Sequence, residues 1–318
     1  MTAFGKNNNG LTLIELMIAM AISLLVMASI FQVFWTHQKA NAAQQLVVEM
    51  QQNARAAMTL MKREIRMAGY KPAASDGIDN NGIGGTDAAD PGENGKMINL
   101  EIGVITALRD QIMFRMDILP DNPADCNDGV DNDSPPDGLI DEYDECYDGL
   151  PDDANEQITY RLEANAAGDG TDLIRITSAG KDILAYDIEA IAFGYAYDVM
   201  TFGGAATPDG ALDTDNNQPD GNVIWAFYNG SGAPALNTNA ETGAPLSGPL
   251  VVAPGPGGDP VIGAVRIWLL ARTAHPIKDE TDTRTYQVGS QAIGPGTYDP
   301  TYRRTLQTAT VYCRNLRF

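Results

Sequence analysis

An α+β fold is predicted, with one long N-terminal helix packed on an antiparallel β-sheet head that carries long acidic loops. Three observations predict it. From Leu16 to Gln38 there is no Asp, Glu, Lys or Arg, and the apolar pattern then continues at helical spacing to Ala68. Beyond that point the texture changes to short runs that alternate or cluster apolar residues. The runs are separated by connections rich in Gly, Pro, Asp and Asn.

Within the first run, only Ser23, Ser29 and Gln32 are polar between Leu16 and Trp35. Twenty such residues span roughly 30 Å as a helix, the thickness of a bilayer's hydrocarbon core. A secretory signal peptide would have a shorter apolar region ending in a small-residue cleavage site. This stretch is too long for one and runs on as helix. After Trp35, Leu46, Met50, Ala54, Ala57, Met58, Met61 and Ile65 recur at three- and four-residue spacings with glutamines between them. Gly69 stands where a helix C-terminus needs a left-handed residue, and Lys71-Pro72 forbids continuation. The expected helix covers 11–69, with half of it in lipid and half against the head.

Strands are expected at Met97 to Thr106, Gln111 to Ile118, Glu156 to Leu162, Asp172 to Thr177, Asp182 to Tyr197, Asn222 to Tyr228, Ala264 to Thr273 and Tyr302 to Phe318. Alternation is clearest where Val265, Ile267, Leu269 and Ala271 interleave with Arg266, Trp268, Leu270 and Arg272. The organisation follows as a leader at 1–10, the helix at 11–69 and a β-rich head at 70–318. Acidic inserts are read at 71–96, 119–155 and 200–221, and 229–260 is read as a further long connection.

The formal charge is −21, from 42 acidic and 21 basic residues. Such an acidic chain excludes a phosphate-backbone binder, so no nucleic-acid partner is expected. The acidity belongs to the middle: 76–221 holds 33 acidic and six basic residues, whereas 261–318 holds four acidic and eight basic. Carboxylates so crowded repel one another unless solvated, screened or bound to a cation, and calcium is the cation expected. With only His37 and His275 present, multi-histidine metal sites are excluded. The sequence has no GxSxG, HExxH, CxxC or phosphate-binding loop, and its paired carboxylates lie in Gly/Asn-rich loops without an apolar pocket to separate their pKa values. No enzyme is expected.

Ahead of the apolar run stands a polar leader, Met1 to Gly10, with one charge at Lys6. Leu11-Thr12-Leu13-Ile14-Glu15 follows. A carboxylate at the edge of a membrane span is costly and needs a partner. Cutting after Gly10 would supply one, because the new amine on Leu11 lies four residues before Glu15. Gly10 to Glu15 followed by the apolar run resembles the prepilin cleavage and methylation motif of type IV pilins and type II secretion pseudopilins. The resemblance implies that prepilin peptidase cuts after Gly10, that Leu11 is the methylated terminus, and that Glu15 guides filament assembly. Leu11 departs from the motif, where phenylalanine is commonest. The charge count after the span favours the opposite topology. The motif overrides it, placing the leader in the cytoplasm and the head outside the inner membrane.

The closing segment, Ala264 to Arg272 followed by Tyr302-Arg303-Arg304 and Val311-Tyr312-Cys313-Arg314-Asn315, is similar to the tail of the PilW family of minor pilins. That resemblance implies a minor pilin of a type IV pilus, near the tip or in an initiation complex. The implied partners are other minor and major pilins through the helix, the peptidase, the inner membrane before assembly and a tip adhesin through the head. The sibling reading is a J-type minor pseudopilin of a type II secretion system. A head of 249 residues (318 − 69) is generous for that one.

The loop from Cys126 to Asp153 holds eleven carboxylates and no Lys or Arg. It resembles secreted calcium repeats of the Asp-Gly-x-Asp-Asn-Asp type. Asp131, Asp133, Asp137, Asp141 and Asp144 are the candidate ligands, although Ser134-Pro135-Pro136 must absorb an insertion relative to an EF-hand loop. Weaker relatives are Asp76, Asp79, Asn81 and Asp87, and the cluster Asp209, Asp213, Asp215, Asn217 and Asp220. Of the three cysteines, Cys126 and Cys146 flank the acidic loop and are the expected disulfide, which leaves Cys313 as a buried thiol. The sequence alone leaves the other pairings open.

Overall fold

The computed structural model describes residues 12–70, 103–116, 156–165, 168–198, 212, 223–229, 235–251 and 261–313. The chain divides into two units, Met1–Glu49 and Met50–Phe318. Helix α1, Leu13–Met67, supplies both, within two residues of the boundaries expected.

In the first unit every described side chain from Thr12 to Ala42 is exposed. Its hydroxyls turn back on the helix: Ser23 Oγ donates to Ala19 O at 2.7 Å, and Ser29 Oγ to Leu25 O at 2.9 Å. The stretch therefore offers a hydrocarbon environment no unbonded hydroxyl at either serine, which is the condition for spanning lipid.

In the second unit α1 buries Met50, Ala54, Ala57, Met58, Met61 and Ile65, the stripe that the three- and four-residue spacing dictates. Gly69 ends the helix at φ 74°, a left-handed conformation costly for any side chain, and donates its N–H to Arg115 O at 3.0 Å.

Strands β1 (Gly103–Ala107), β2 (Gln111–Arg115), β3 (Gln157–Ala164), β4 (Thr171–Thr177) and β5 (Gly180–Ala185) form one antiparallel sheet in chain order. The remaining strands are β6 (Ile188–Asp198), β7 (Ala226–Phe227), β8 (Ala235–Asn239), β9 (Pro245–Val251), β10 (Val261–Arg272), β11 (Tyr286–Val288), β12 (Gln291–Ile293) and β13 (Arg304–Tyr312). A second sheet runs β13-β10-β6-β7-β8-β9, and β11 pairs with β12 in a separate hairpin.

The single sheet expected is thus two sheets and a hairpin. The expected strand Asp182 to Tyr197 is two strands, because Asp187 adopts φ 55° and turns the chain from one sheet to the other. The turn is held by the Asp187 N–H, which donates to Asp172 Oδ1 at 3.0 Å. The connection expected over 229–260 contains β8 and β9, and Asn222 to Tyr228 shrinks to a two-residue strand.

Both faces of β10 are covered, since Val265, Ile267 and Leu269 are buried and so are Trp268 and Leu270. Val265 pairs with Tyr195 of β6, Ile267 with Phe193 and Leu269 with Ile191. Tyr195 reaches the first sheet, its hydroxyl 3.2 Å from Leu108 O and 3.3 Å from Gln111 O. On the opposite face Trp268 lies over Gly194, where a Cβ would stand 3.1 Å from Cζ3 of the indole and 2.9 Å from Ala240 Cβ. Only a glycine lets the ring approach that closely.

Candidate assembly site

The first candidate residue in place is Glu15. Thr12 donates to its Oε2 twice, from the backbone N–H at 2.9 Å and from Oγ1 at 2.8 Å, and Glu15 N–H returns a bond to Thr12 Oγ1 at 3.4 Å. This is a reciprocal capping box, which satisfies two of the donors a helix start leaves open. Among the described residues the carboxylate has a neutral local partner, Thr12. Thr-x-x-Glu spacing was the available signal for it. Both bonds from Thr12 go to one oxygen. Among the described residues nothing is bonded to Oε1. Gly10 and Leu11 lie outside the described residues.

Beyond this cap, Leu16 to Trp35 presents exposed apolar side chains on all sides, Leu24, Phe31 and Trp35 among them. By length and composition this part of α1 can cross a membrane.

Charge in the head is spent on holding it together. Arg304 is buried, donates to Glu189 from its Nε and from Nη2 at 3.2 Å, and stacks 3.7 Å over the Tyr298 ring. Its Nη2 also donates to Asp299 O at 2.9 Å, and its Nη1 to Tyr302 O at 2.8 Å. Asp282 accepts from Tyr286 Oη at 2.8 Å and from Arg284 Nε at 3.1 Å. Burial opposes ionisation of Asp282, but the hydrogen bonds from Tyr286 and Arg284 outweigh it and hold the carboxyl below its ordinary value. This network ties 277–304 to the second sheet, so Arg304, part of the tail motif, works in packing. The Arg314-Asn315 pair lies outside the described residues.

Among the described residues, no group of three or more His, Cys, Asp or Glu side chains is placed to hold a metal ion. The calcium candidates Asp131, Asp133, Asp137, Asp141 and Asp144, with Asp76, Asp79, Asn81 and Asp87, all lie outside the described residues, as do the cluster from Asp209 to Asp220 and both Cys126 and Cys146. Cys313 is a buried free thiol.

Residues 5–31 match the family described as Prokaryotic N-terminal methylation motif. Residues 159–315 match the family described as Type IV Pilus-assembly protein W. The second match reaches back from the closing segment to β3, and so takes in the whole second sheet. Among solved structures, a type IV-like pilin from Thermus thermophilus is similar at 10% identity and a TM-score of 0.30, covering 83% of this chain and 97% of that one. No curated protein matches. A capped apolar helix that runs into an antiparallel β head, under a prepilin motif, defines a type IV pilin-like protein. Within that class, the head resembles the Type IV Pilus-assembly protein W family over residues 159–315.

Proposed function

We propose that this chain is cut by prepilin peptidase after Gly10, methylated on Leu11 and taken from the inner membrane into a type IV pilus as a minor subunit, near the tip, where it promotes assembly. The carrying observation is the Thr12–Glu15 capping box at the head of a fully exposed apolar helix. The cap holds the carboxylate at the helix start through Oε2. Oε1 then stands ready for the charged terminal amine of an adjoining subunit, an attraction strengthened where water is scarce. The apolar helices exchange lipid for a filament core of similar polarity, so the transfer costs little. Before assembly the leader lies in the cytoplasm and the head outside the membrane. In the filament the helix meets other minor and major pilins, and the head meets a tip adhesin.

Mass spectrometry of sheared filaments and of the membrane fraction tests this. The expected result is a methylated Leu11 terminus at low abundance in filaments, with Glu15→Ala still cut but confined to the membrane. A processed wild-type chain found only in membranes would reassign it to a secretion pseudopilus. An uncut Met1 terminus would end the reading.

The reading extends to calcium on the acidic stretch from Cys126 to Asp153, supported by its eleven carboxylates without a Lys or Arg. Calcium is expected to raise the melting temperature and protease resistance of the head. Identical melting and proteolysis with chelator would remove it.

A further inference from the structure

Between Leu16 and Trp35 the apolar half of α1 carries three polar side chains, Ser23, Ser29 and Gln32, and the helix itself satisfies only the two serines. Their hydroxyls donate to the carbonyls of Ala19 and Leu25. Just beyond, Thr36 Oγ1 donates to the backbone oxygen of Gln32 at 2.9 Å. The Gln32 side-chain amide is exposed and, among the described residues, makes no hydrogen bond. An amide offers N–H donors and a carbonyl acceptor, and leaving them unmade in hydrocarbon is costly.

The place of Gln32 on the helix points to what meets it. Ala21, Leu25, Ala28, Gln32 and Trp35 follow one another at spacings of four, three, four and three residues, the seam of a left-handed helix pair. At about 100° per residue the five fall within roughly an 80° arc. Gln32 occupies the position in that seam where a lone polar side chain fixes register and partner number. Ala28, one turn before it, lets a second backbone come close, between the larger Leu24, Phe31 and Trp35 side chains that line the same groove. Helical side chains lean toward the N-terminus, which carries the amide inward over Ala28 rather than outward past Trp35.

From this we infer that α1 pairs in the membrane with α1 of a second copy of this chain, side by side in the same direction, with the two Gln32 amides bonded to each other across the seam. Hydrogen-bond complementarity selects this occupant. A primary amide is its own complement, since each can donate an N–H to the other's carbonyl. Two copies inserted the same way hold Gln32 at equal depth, so the match needs no polar group from another protein. Ser23 and Ser29 offer no equivalent, because each has one donor and spends it within the helix. The inference rests on the membrane stage of the reading above and adds a paired state that precedes the filament.

Energy transfer between donor- and acceptor-tagged full-length chains tests this, in zwitterionic vesicles at physiological salt, where charges more than about 8 Å apart are largely screened. Wild type is expected to self-associate, and Gln32→Leu to associate about three- to tenfold more weakly, the range of one interhelical hydrogen bond. Ser29→Ala is expected to match wild type. Equal association of wild type and Gln32→Leu, or equal weakening by Ser29→Ala, would overturn the amide pair. Wild type with no more energy transfer than randomly placed chains would assign Gln32 to headgroups or water and overturn the inference. In cells, a photocrosslinking residue at Leu24 is expected to give an adduct of two copies. Adducts only with a different pilin would give the groove another occupant and overturn the pairing of copies. Wild-type chain released from membranes by alkaline carbonate would end the membrane reading itself, and the inference with it.

Discussion

Glu64 of α1 and Arg175 of β4, 111 residues apart in sequence, are joined by Nη2 to Oε1 at 3.0 Å and by Nε to both carboxylate oxygens at 3.1 Å. Tyr160 of β3 donates its hydroxyl to the same carboxylate. Burial, and then the Glu64 carboxylate, push that phenol far above its ordinary value, so it remains a donor. The pair fixes which turn of the helix sits over which strands, something an apolar stripe that can slide by a turn does not specify.

Both partners are mostly buried, at 13% and 16% side-chain exposure, so removing one strands the other. Glu64→Ala is expected to cost about 2 to 3 kcal/mol, the scale of a lost charge-assisted contact with an uncompensated partner. That corresponds to a melting temperature lower by roughly 5 to 10 °C for a domain of this size. The double change Glu64→Met with Arg175→Met should recover most of the loss. Equal melting for Glu64→Ala and wild type would show that the pair contributes nothing.

Much of this architecture was legible beforehand. The helix, its buried stripe and its glycine end follow from spacing alone, because a 3.6-residue period leaves few alternatives. The break at Asp187 was not legible. It sits in a strand-like run with no Gly or Pro beside it to mark the turn, and the left-handed turn depends on a carboxylate at Asp172, in another strand. Likewise β10 reads as alternating, yet Trp268 and Leu270 are buried as well, and Trp268 lies against Gly194 and Gly289, both distant in sequence. At the assembly site, Glu15 was legible as a residue, while its Thr12 partner was hidden by the search for a cation.

The close approach of Trp268 to Gly194 gives a second measurable consequence. A Cβ at residue 194 would meet Ala240 Cβ at 2.9 Å and the indole at 3.1 and 3.2 Å. Gly194→Ala should therefore destabilise by about 1 to 3 kcal/mol, the usual cost of overpacking. Adding Ala240→Gly removes the nearest clash and should restore part of it. Thermal melting of the two variants decides the matter, and an unchanged melt for Gly194→Ala would show that the ring can retreat freely.

Asp282 sets an acid limit on the tail network. Its folded pKa is depressed, so the stability it contributes is fully present above the unfolded value, about 3.9, and is lost as the pH falls through the lower folded value. Wild type should therefore lose melting temperature more steeply below about pH 4 than Asp282→Asn, which has no charge to lose there. Parallel curves for the two proteins down to pH 2 would remove Asp282 from the acid response.

Cys313 offers the most direct check on the cysteine assignment. The thiol is fully buried, its Sγ 3.6 Å from Ile65 O, and burial pushes its pKa up to about 12. At pH 8 only about one thiol in ten thousand would be thiolate, and the reactive form is the thiolate. The folded chain should thus resist iodoacetamide at Cys313. Denaturation without reductant should add one label per chain, at Cys313. Denaturation with reductant should add three, because Cys126 and Cys146 are then released. A Cys313 peptide cross-linked to either of the other cysteines would overturn both the buried thiol and the proposed loop disulfide.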